Sequence, residues 1–511
     1  MLIRSLDRLD LDRAWIRVLA WVRRAVMDVP DRLPFEAADR LWSGSPVLDH
    51  DHAVQPVQLV FATKTGGSTV RPFVRVHPRD LLLYQALVDS LRDAVEGTLG
   101  SPEEVFAYRL APLTADSATE GSPTFRDYNR AVRTHADEHP MDYIVQADVS
   151  SFFISIRAEE LERRLLERGA SGPVVRDLRA LLAGWHAEGV QGLPQGLLPS
   201  SVLANFYLAP VDRALRERGA RFWRYMDDVA VAADGFHAGR EVLDLLEGEL
   251  YADGLSLGAS KTKVVRAASA GSEFRTMRER LNEQFEEFVD ALGDYAPADE
   301  EAGELRQEQV RELFDDAIQS LRRDEFRRGE LTIAFQELGR FEDGHALPQL
   351  PYVLLRLPGM TKAASSYMAD VSGPTNRGAL VAALEAIVLQ DRFHRAQEWL
   401  HILRAVMVAG DQVTPTLVPK LEQLAEGHEH ALVRCRALLA WGRQSAAHEF
   451  GAADGFVQRE RRDRLGYALV AIQCKATDPR NSRYERWSSE GRGLANLATS
   501  LRRQMLAWNS I

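Results

Sequence analysis

Cysteine is almost absent from this chain. Two occur in 511 residues, Cys435 and Cys474. Both sit among apolar residues in helical-looking segments, so buried thiols are expected and a disulfide framework is excluded. Long apolar runs are missing as well. No stretch approaches the roughly 18–20 apolar residues that cross a bilayer, so no membrane span is expected. Residues 1–26 are amphipathic, carry acids and lack a small-residue cleavage site, which argues against a secretory signal. The chain reads as cytoplasmic. Excess positive charge is missing too. A net charge of −11 excludes a globally basic nucleic-acid binder and leaves room only for a local basic cleft. The arginine clusters "LRRDEFRRG" (321–329) and "RERRDR" (459–464) are candidates for such a cleft, although each alone reads as a solvated helix face.

What is present is a chain that is 45% hydrophobic and long enough for two or three domains. Residues 1–50 read as an N-terminal helical extension. Residues 55–77 alternate as strands around "TKTGG" (63–67), a hairpin signal, and 79–97 have helical periodicity. A polar, irregular stretch follows at 112–140. A strand then runs to Asp148, helices are expected at 158–168 and 173–187, and a Gly/Pro loop leads into another helix. Residues 221–233 read as strand, tight turn, strand, followed by a helix over 238–253 and a last strand. Residues 291–310 hold six acids against one arginine and read as a linker or a solvated helix start. From 311 onward nearly everything is helical, for example 378–389, 395–410, 416–427 and 431–444. Short amphipathic helices with tight connections point to a stacked helical array. The fold class is α+β followed by an all-α part.

The chemistry gathers at "RYMDDVAVAAD" (224–234). Asp227 and Asp228 lie side by side between apolar strand-like residues. Like charges in such a setting repel and resist desolvation, so a counter-ion is expected. A strand–turn–strand reading puts both at a hairpin tip. Asp148, at the end of "YIVQAD", is a third acid. If the strands are neighbours, Asp148 and Asp227 face each other and, with a backbone carbonyl, form an oxygen-ligand site for Mg²⁺. Two such ions activate a hydroxyl and steady a leaving pyrophosphate, which is nucleotidyl transfer. The bland alternative is a chance pair of acids on an exposed hairpin.

Over roughly residues 50–270 the sequence resembles reverse transcriptases. "QADVSSFF", "LPQGLLPSSVLANF", "YMDD" and "LSLGASKTKVV" resemble four of that family's motifs in the family's order. The resemblance implies a right-hand polymerase, with fingers and palm at 51–275, thumb-like helices or a linker at 276–310 and a HEAT-like helical domain at 311–511. It makes Asp148 and Asp227 the metal ligands, helped by the Val149 carbonyl, with Asp228 in support and Mg²⁺ or Mn²⁺ as the ion. Phe153 stands at the steric-gate position and implies dNTPs as substrates; otherwise it is a core aromatic. Gln195 and Gly196 would lie along base and template, Tyr225 beside the nucleotide, and Lys261 near the triphosphate as a proton donor, or else simply at the surface. Lys64 and Arg71 would hold the triphosphate by charge-assisted bonds, with Arg75 and Arg79 less clearly placed. Arg109 is a template-side or triphosphate contact, or else a structural arginine.

No RNase H-like acidic constellation, Cys/His finger or HNH-type cluster is found, which argues against a mobile-element enzyme. No clear Val-Thr-Gly thumb motif follows the palm. A palm followed by about 200 helical residues is similar to the bacterial abortive-infection (Abi) and other defence-associated reverse transcriptases. That likeness implies either template-independent synthesis from a protein hydroxyl or copying of an associated non-coding RNA. No tyrosine precedes Tyr84. Ser5, Ser43, Ser45 and Tyr484 remain as hydroxyls, and an RNA end is the other source of a primer. The helical array offers arginine-rich faces for a product strand or surfaces for a homo-oligomer. Rival readings are an RNA-templated retron-like or mobile-element enzyme and a silent RNA-binding scaffold.

Overall fold

A computed structural model describes residues 3–23, 48–63, 70–274, 299–390, 394–409 and 415–444. The chain divides into two units. The first comprises residues 1–27, 32–59 and 73–276, and the second 28–31, 60–72 and 277–511. Ser43, Ser45, Lys64, "RERRDR", Cys474 and Tyr484 lie outside the described residues.

The first unit opens with helix α1 (Leu11–Arg23). Strands β1 (Gln58–Thr63) and β2 (Val70–Arg75), each divided between the two units, pair as a two-stranded sheet. Helix α2 (Pro78–Ser90) packs on α1 and is followed by α3 (Arg92–Glu96). The expected single helix over 79–97 is thus broken at Leu91. Helix α4 (Phe125–Glu138) lies in the stretch expected to be irregular. A capping box starts it: the Asp127 carboxylate accepts from the Thr124 N–H at 2.8 Å while Thr124 Oγ1 accepts from the Asp127 N–H at 3.3 Å. Only Tyr128, Val132, His135 and Ala136 of α4 are buried, one stripe on a highly polar helix. That sparse stripe is why the segment looks irregular as sequence.

Strand β3 (Tyr143–Asp148) follows, then α5 (Phe152–Ser155), α6 (Ala158–Glu167), α7 (Gly172–Ala187), α8 (Leu198–Tyr207) and α9 (Ala209–Glu217). Strands β4 (Phe222–Tyr225) and β5 (Asp228–Ala233), helix α10 (Phe236–Ala252), strand β6 (Lys263–Arg266) and helix α11 (Ala267–Phe274) complete the unit. The four strands form one antiparallel sheet in the order β4-β5-β3-β6. Strand alternation sends Val145, Ala147, Val229 and Val231 to one face, in a core shared with Val242, Leu246 and Leu250 of α10. Ile144, Trp223 and Ala230 point to the other face, beneath Val132 and Ala136 of α4 and Ala267 and Ala270 of α11.

The second unit holds α12 (Asp299–Arg322), α13 (Arg328–Arg340), α14 (Leu350–Arg356), α15 (Thr361–Asp370), α16 (Arg377–Val388), α17 (Ala396–Val408), α18 (Val418–Gly427) and α19 (Ala431–Gln444). Helix α12 begins inside the acidic interval 291–310. Helices α12, α13, α15, α17 and α19 pack one on the next in that order, and α14 packs on α16 and α18 on α19. Phe335 stacks on Tyr367 at 5.4 Å, and Cys435 is fully buried. The end of β1 belongs here. Thr63 Oγ1 donates to Glu398 Oε1 at 3.1 Å and accepts from Arg395 Nη1 at 2.6 Å. Glu398 is buried, with its second oxygen 3.6 Å from His394 Nδ1.

Asp343 anchors the start of this array. Its carboxylate accepts from Gln307 Nε2 and Arg311 Nε, both at 2.7 Å, and from the His345 N–H at 2.9 Å. Burial opposes the charge, but these bonds prevail and hold its pKa below the usual carboxylate value. The pair's contribution is therefore complete above the unfolded value near ~3.9 and is lost as pH falls through the lower folded value. We expect Asp343→Ala to cost about 1–3 kcal/mol in chemical denaturation at neutral pH. The difference from wild type should shrink in acid.

Candidate active site

Across the end of the four-stranded sheet, the strand order lines up four side chains. Tyr225 on β4 is the register partner of Asp228 on β5, and Asp228 is the register partner of Asp148 on β3. Beyond β3, Lys261 donates through Nζ to Asp148 Oδ1 at 2.6 Å. Alternation puts Asp148 on the face of Ile144 and Asp228 on the face of Ala230, so both carboxylates share one face. The sequence pattern suggested that Asp227 would oppose Asp148. In the structure Asp228 does. Asp227 sits one residue further out, in the turn, where its carbonyl accepts from the Val149 N–H at 3.1 Å.

The turn consists of Met226 and Asp227, and Met226 has φ +57°. A left-handed first turn position usually falls to glycine, so a methionine there must be held by its surroundings. Arg224 holds it. Its Nη1 donates to the Met226 carbonyl at 3.1 Å and to Asn205 Oδ1 at 2.8 Å, and its Nε and Nη2 each reach the Asp212 carboxylate at 2.6 Å. Arg224 and Asp212 are both fully buried. Asn205 Nδ2 extends the network to the Ala107 carbonyl at 2.6 Å. Sequence reasoning missed Arg224, Asp212 and Asn205. The signal was a buried-looking helical run, "SVLANFYLAPVDRAL", in which Asn205 and Asp212 would need partners.

The remaining candidates divide. Val149 is buried beside Asp148, and Ser151, with φ +51°, turns the chain into α5. Phe153 is half-buried against the core of this unit, 5.7 Å from the Phe152 ring, and its carbonyl accepts from the Leu193 N–H at 2.9 Å. The loop carrying Gln195 and Gly196 is docked on β2, since the Gln195 carbonyl accepts from the Val74 N–H at 3.0 Å. Gly196 has φ +93°, and a Cβ there would come within 2.6 Å of the Phe73 ring, so both backbone and space demand glycine. Arg71 is exposed on β2, in the second unit. Arg79 is exposed and Arg75 half-buried. Arg109 resolves to the structural alternative: it pairs with Glu96 at 3.1 Å and bonds the Gly100 carbonyl. Ser5 is fully buried and donates to Asp177 Oδ2 at 2.6 Å, so its hydroxyl is not available to prime a strand.

Charge ties the row together. Desolvation pulls the Lys261 pKa down, but the bond to Asp148 and the fields of Asp148, Asp228 and Asp227 outweigh it and raise the pKa above the ordinary lysine value. One ammonium therefore feels all three carboxylates. Burial pushes the Tyr225 phenol far up, with Tyr108 and Asp228 adding to the rise. Among the described residues, no three acidic, imidazole or thiol groups stand at metal-ligand spacing. The donor chemistry nevertheless suits a hard divalent cation: Asp148 bonds the Lys261 ammonium, and that ammonium also feels the charges of Asp228 and Asp227.

Asp212→Ala removes the counter-charge of a buried guanidinium. It should destabilise the first unit by about 3–5 kcal/mol in denaturant melts. Asp212→Asn, which retains a hydrogen-bond acceptor, should cost less.

No curated protein matches the chain. Residues 69–305 match the family described as reverse transcriptase (RNA-dependent DNA polymerase). That span contains the whole four-stranded sheet, the row Tyr225–Asp228–Asp148–Lys261 and the Arg224 network behind the turn. Residues 69–305 therefore carry a reverse transcriptase domain, a nucleic-acid polymerase module.

Proposed function

We propose that this chain is a DNA polymerase of the bacterial antiphage-defence (abortive-infection) type, adding deoxynucleotides from dNTPs to a hydroxyl primer. The observation that carries the reading is the cross-sheet row of Asp228, Asp148 and Lys261 inside the reverse transcriptase domain. In this reading the four-stranded sheet is the palm and the β1–β2 hairpin part of the fingers. Asp148, Asp227 and Asp228, with the Val149 carbonyl, would hold Mg²⁺ or Mn²⁺. The bound ions supply Lewis-acid stabilisation of the attacking and leaving oxygens. Lys261, which bonds Asp148, would neutralise it between turnovers and face an incoming triphosphate. Arg71 and Lys64 would add charge-assisted bonds to that triphosphate. Phe153 would exclude a ribose 2′-hydroxyl, and Gln195 and Gly196 would border base and template.

The defence assignment draws support from the helical second unit, read as a HEAT-like array in place of an ordinary thumb, on an acidic chain with no sign of a mobile-element nuclease. Template-independent synthesis from a protein hydroxyl is the mode we favour for this type. A second reading, synthesis templated by an associated RNA, is favoured by the family description itself, which is of RNA-dependent DNA synthesis.

The test uses protein freed of nucleic acid, Mg²⁺ and one labelled dNTP at a time, without template or primer. Label that migrates with the protein and is released by protease supports protein-primed synthesis. Activity only after co-purified RNA is restored supports the templated reading. Asp227→Ala/Asp228→Ala should lower incorporation by about a thousandfold, the several kcal/mol expected of lost metal assistance, without lowering the melting temperature. Equal labelling in wild type and this variant would overturn the polymerase reading in favour of a silent scaffold. Phe153→Ala should raise the relative kcat/KM for NTPs over dNTPs by about 10- to 100-fold. Unchanged selectivity would return Phe153 to the core.

A further inference from the structure

The proposed chemistry leaves one conspicuous side chain unused. Phe125, the first residue of α4, is 47% exposed. It is the outermost ring of a built aromatic cluster. It stacks on Tyr128 at 5.7 Å and 27°, and meets Tyr225 edge-on at 5.1 Å and 71°. Tyr225 in turn lies 6.3 Å from Tyr128 and 6.2 Å from Tyr108. Tyr128 is buried beneath, and the Thr124–Asp127 capping box fixes the helix end that presents Phe125. The cluster adjoins the carboxylates. Tyr225 is the register partner of Asp228, and the Asp228 charge acts on both Tyr225 and Tyr128.

A second observation restricts where a strand can run. The face that bears Asp148 and Asp228 is covered further along by α4 and α11, which bury Ile144, Trp223 and Ala230. Phe125, in contact with Tyr225, stands at the carboxylate end of that face on the β4 side. Lys261 borders it on the side of β6. A strand end held at the carboxylates meets an aromatic wall on one side and a cation on the other.

We propose that Phe125 is a stacking site for the terminal nucleobase of the strand being extended at Asp148 and Asp228. This rests on the polymerase reading above. A phenyl ring offers no hydrogen-bonding group, so the site accepts any base, and purines best by area. Stacking of a base on an aromatic side chain is worth about 1–3 kcal/mol, and every base has a π-face to offer. The ring is fixed by Tyr128 and Tyr225, so little side-chain freedom is lost on binding.

The test is fluorescence of a short single-stranded deoxyoligonucleotide carrying 2-aminopurine at its 3′ end, titrated with full-length protein. Wild type should quench the probe. Phe125→Ala should lose most of the quench and weaken Kd by about 5- to 150-fold, and Phe125→Trp should restore both. An unaltered melting temperature in Phe125→Ala keeps the comparison clean. Equal quenching by wild type and Phe125→Ala, or none by either, overturns the proposal. Labelled dNTP incorporation, run on the same preparations, separates the two levels. Incorporation by wild type with no effect of Phe125→Ala on quench or primer KM sinks the stacking site alone. No incorporation by wild type, with or without the co-purified RNA, sinks the polymerase reading itself.

Discussion

Two carboxylates held on one sheet face within reach of a single ammonium set the terms for the first unit. Asp148 and Asp228 are register partners, and Asp227 follows in the turn. Left alone, like charges so placed push each other apart. The fold opposes that outcome from two sides. Lys261 supplies the counter-charge directly, at 2.6 Å from Asp148. Arg224 acts from behind, holding the Met226 carbonyl so that the turn keeps its left-handed first residue. Neither arrangement is favoured by hydrophobic burial alone. A buried guanidinium is tolerated because Asp212 meets it with two bonds and Asn205 takes another donor.

Much of this site was legible because its chemistry is written in residue types at short range. "YMDD" announces a turn with unshielded charge, and alternation around it fixes which residues share a face. What the sequence pattern could not settle was register. Antiparallel pairing that shifts by one residue changes which acid opposes which, and nothing local distinguishes Asp227 from Asp228. The structure pairs Asp228 with Asp148 because the turn takes Met226 and Asp227 as its two residues. Arg109 shows a related limit. Its neighbours in "FAYRLAP" suggest a contact with substrate or template, but its partner Glu96 lies on α3 and is visible only once the chain is folded. Helix α4 escaped notice for the opposite reason. Its buried stripe is narrow, on a helix that is polar elsewhere, and a cap at Thr124 marks its start.

The two faces of the sheet are treated differently, and this asymmetry shapes the domain. One face is packed by α10 with branched aliphatic residues along its length, as a core usually is. The other carries Ala230, Ala267 and Ala270 among larger rings, so α4 and α11 sit close to the strands at one end. At the opposite end the same face turns polar at Asp148 and Asp228. A single strand therefore changes from packing surface at Ile144 to charged surface at Asp148 within four residues. The short reach of that transition requires a stiff support, which the β3–β5 ladder and the Arg224 network together provide.

The second unit adds a constraint of another kind, on the order in which the chain can assemble. Thr63 ends β1, yet its hydroxyl partners are Arg395 and Glu398, more than 300 residues later. Glu398 is buried with Thr63 and His394 around it, so these groups desolvate together or not at all. A contact of such sequence separation carries a large loop-closure cost that must be met before the contact contributes. In a chain synthesised from its N-terminus, the Thr63 hydroxyl lacks these two partners until α17 exists. The sheet of the first unit needs no residue beyond α11 for its strands to pair. Its core can therefore form first, while the segment around Thr63 completes its hydrogen bonding only with the helical array.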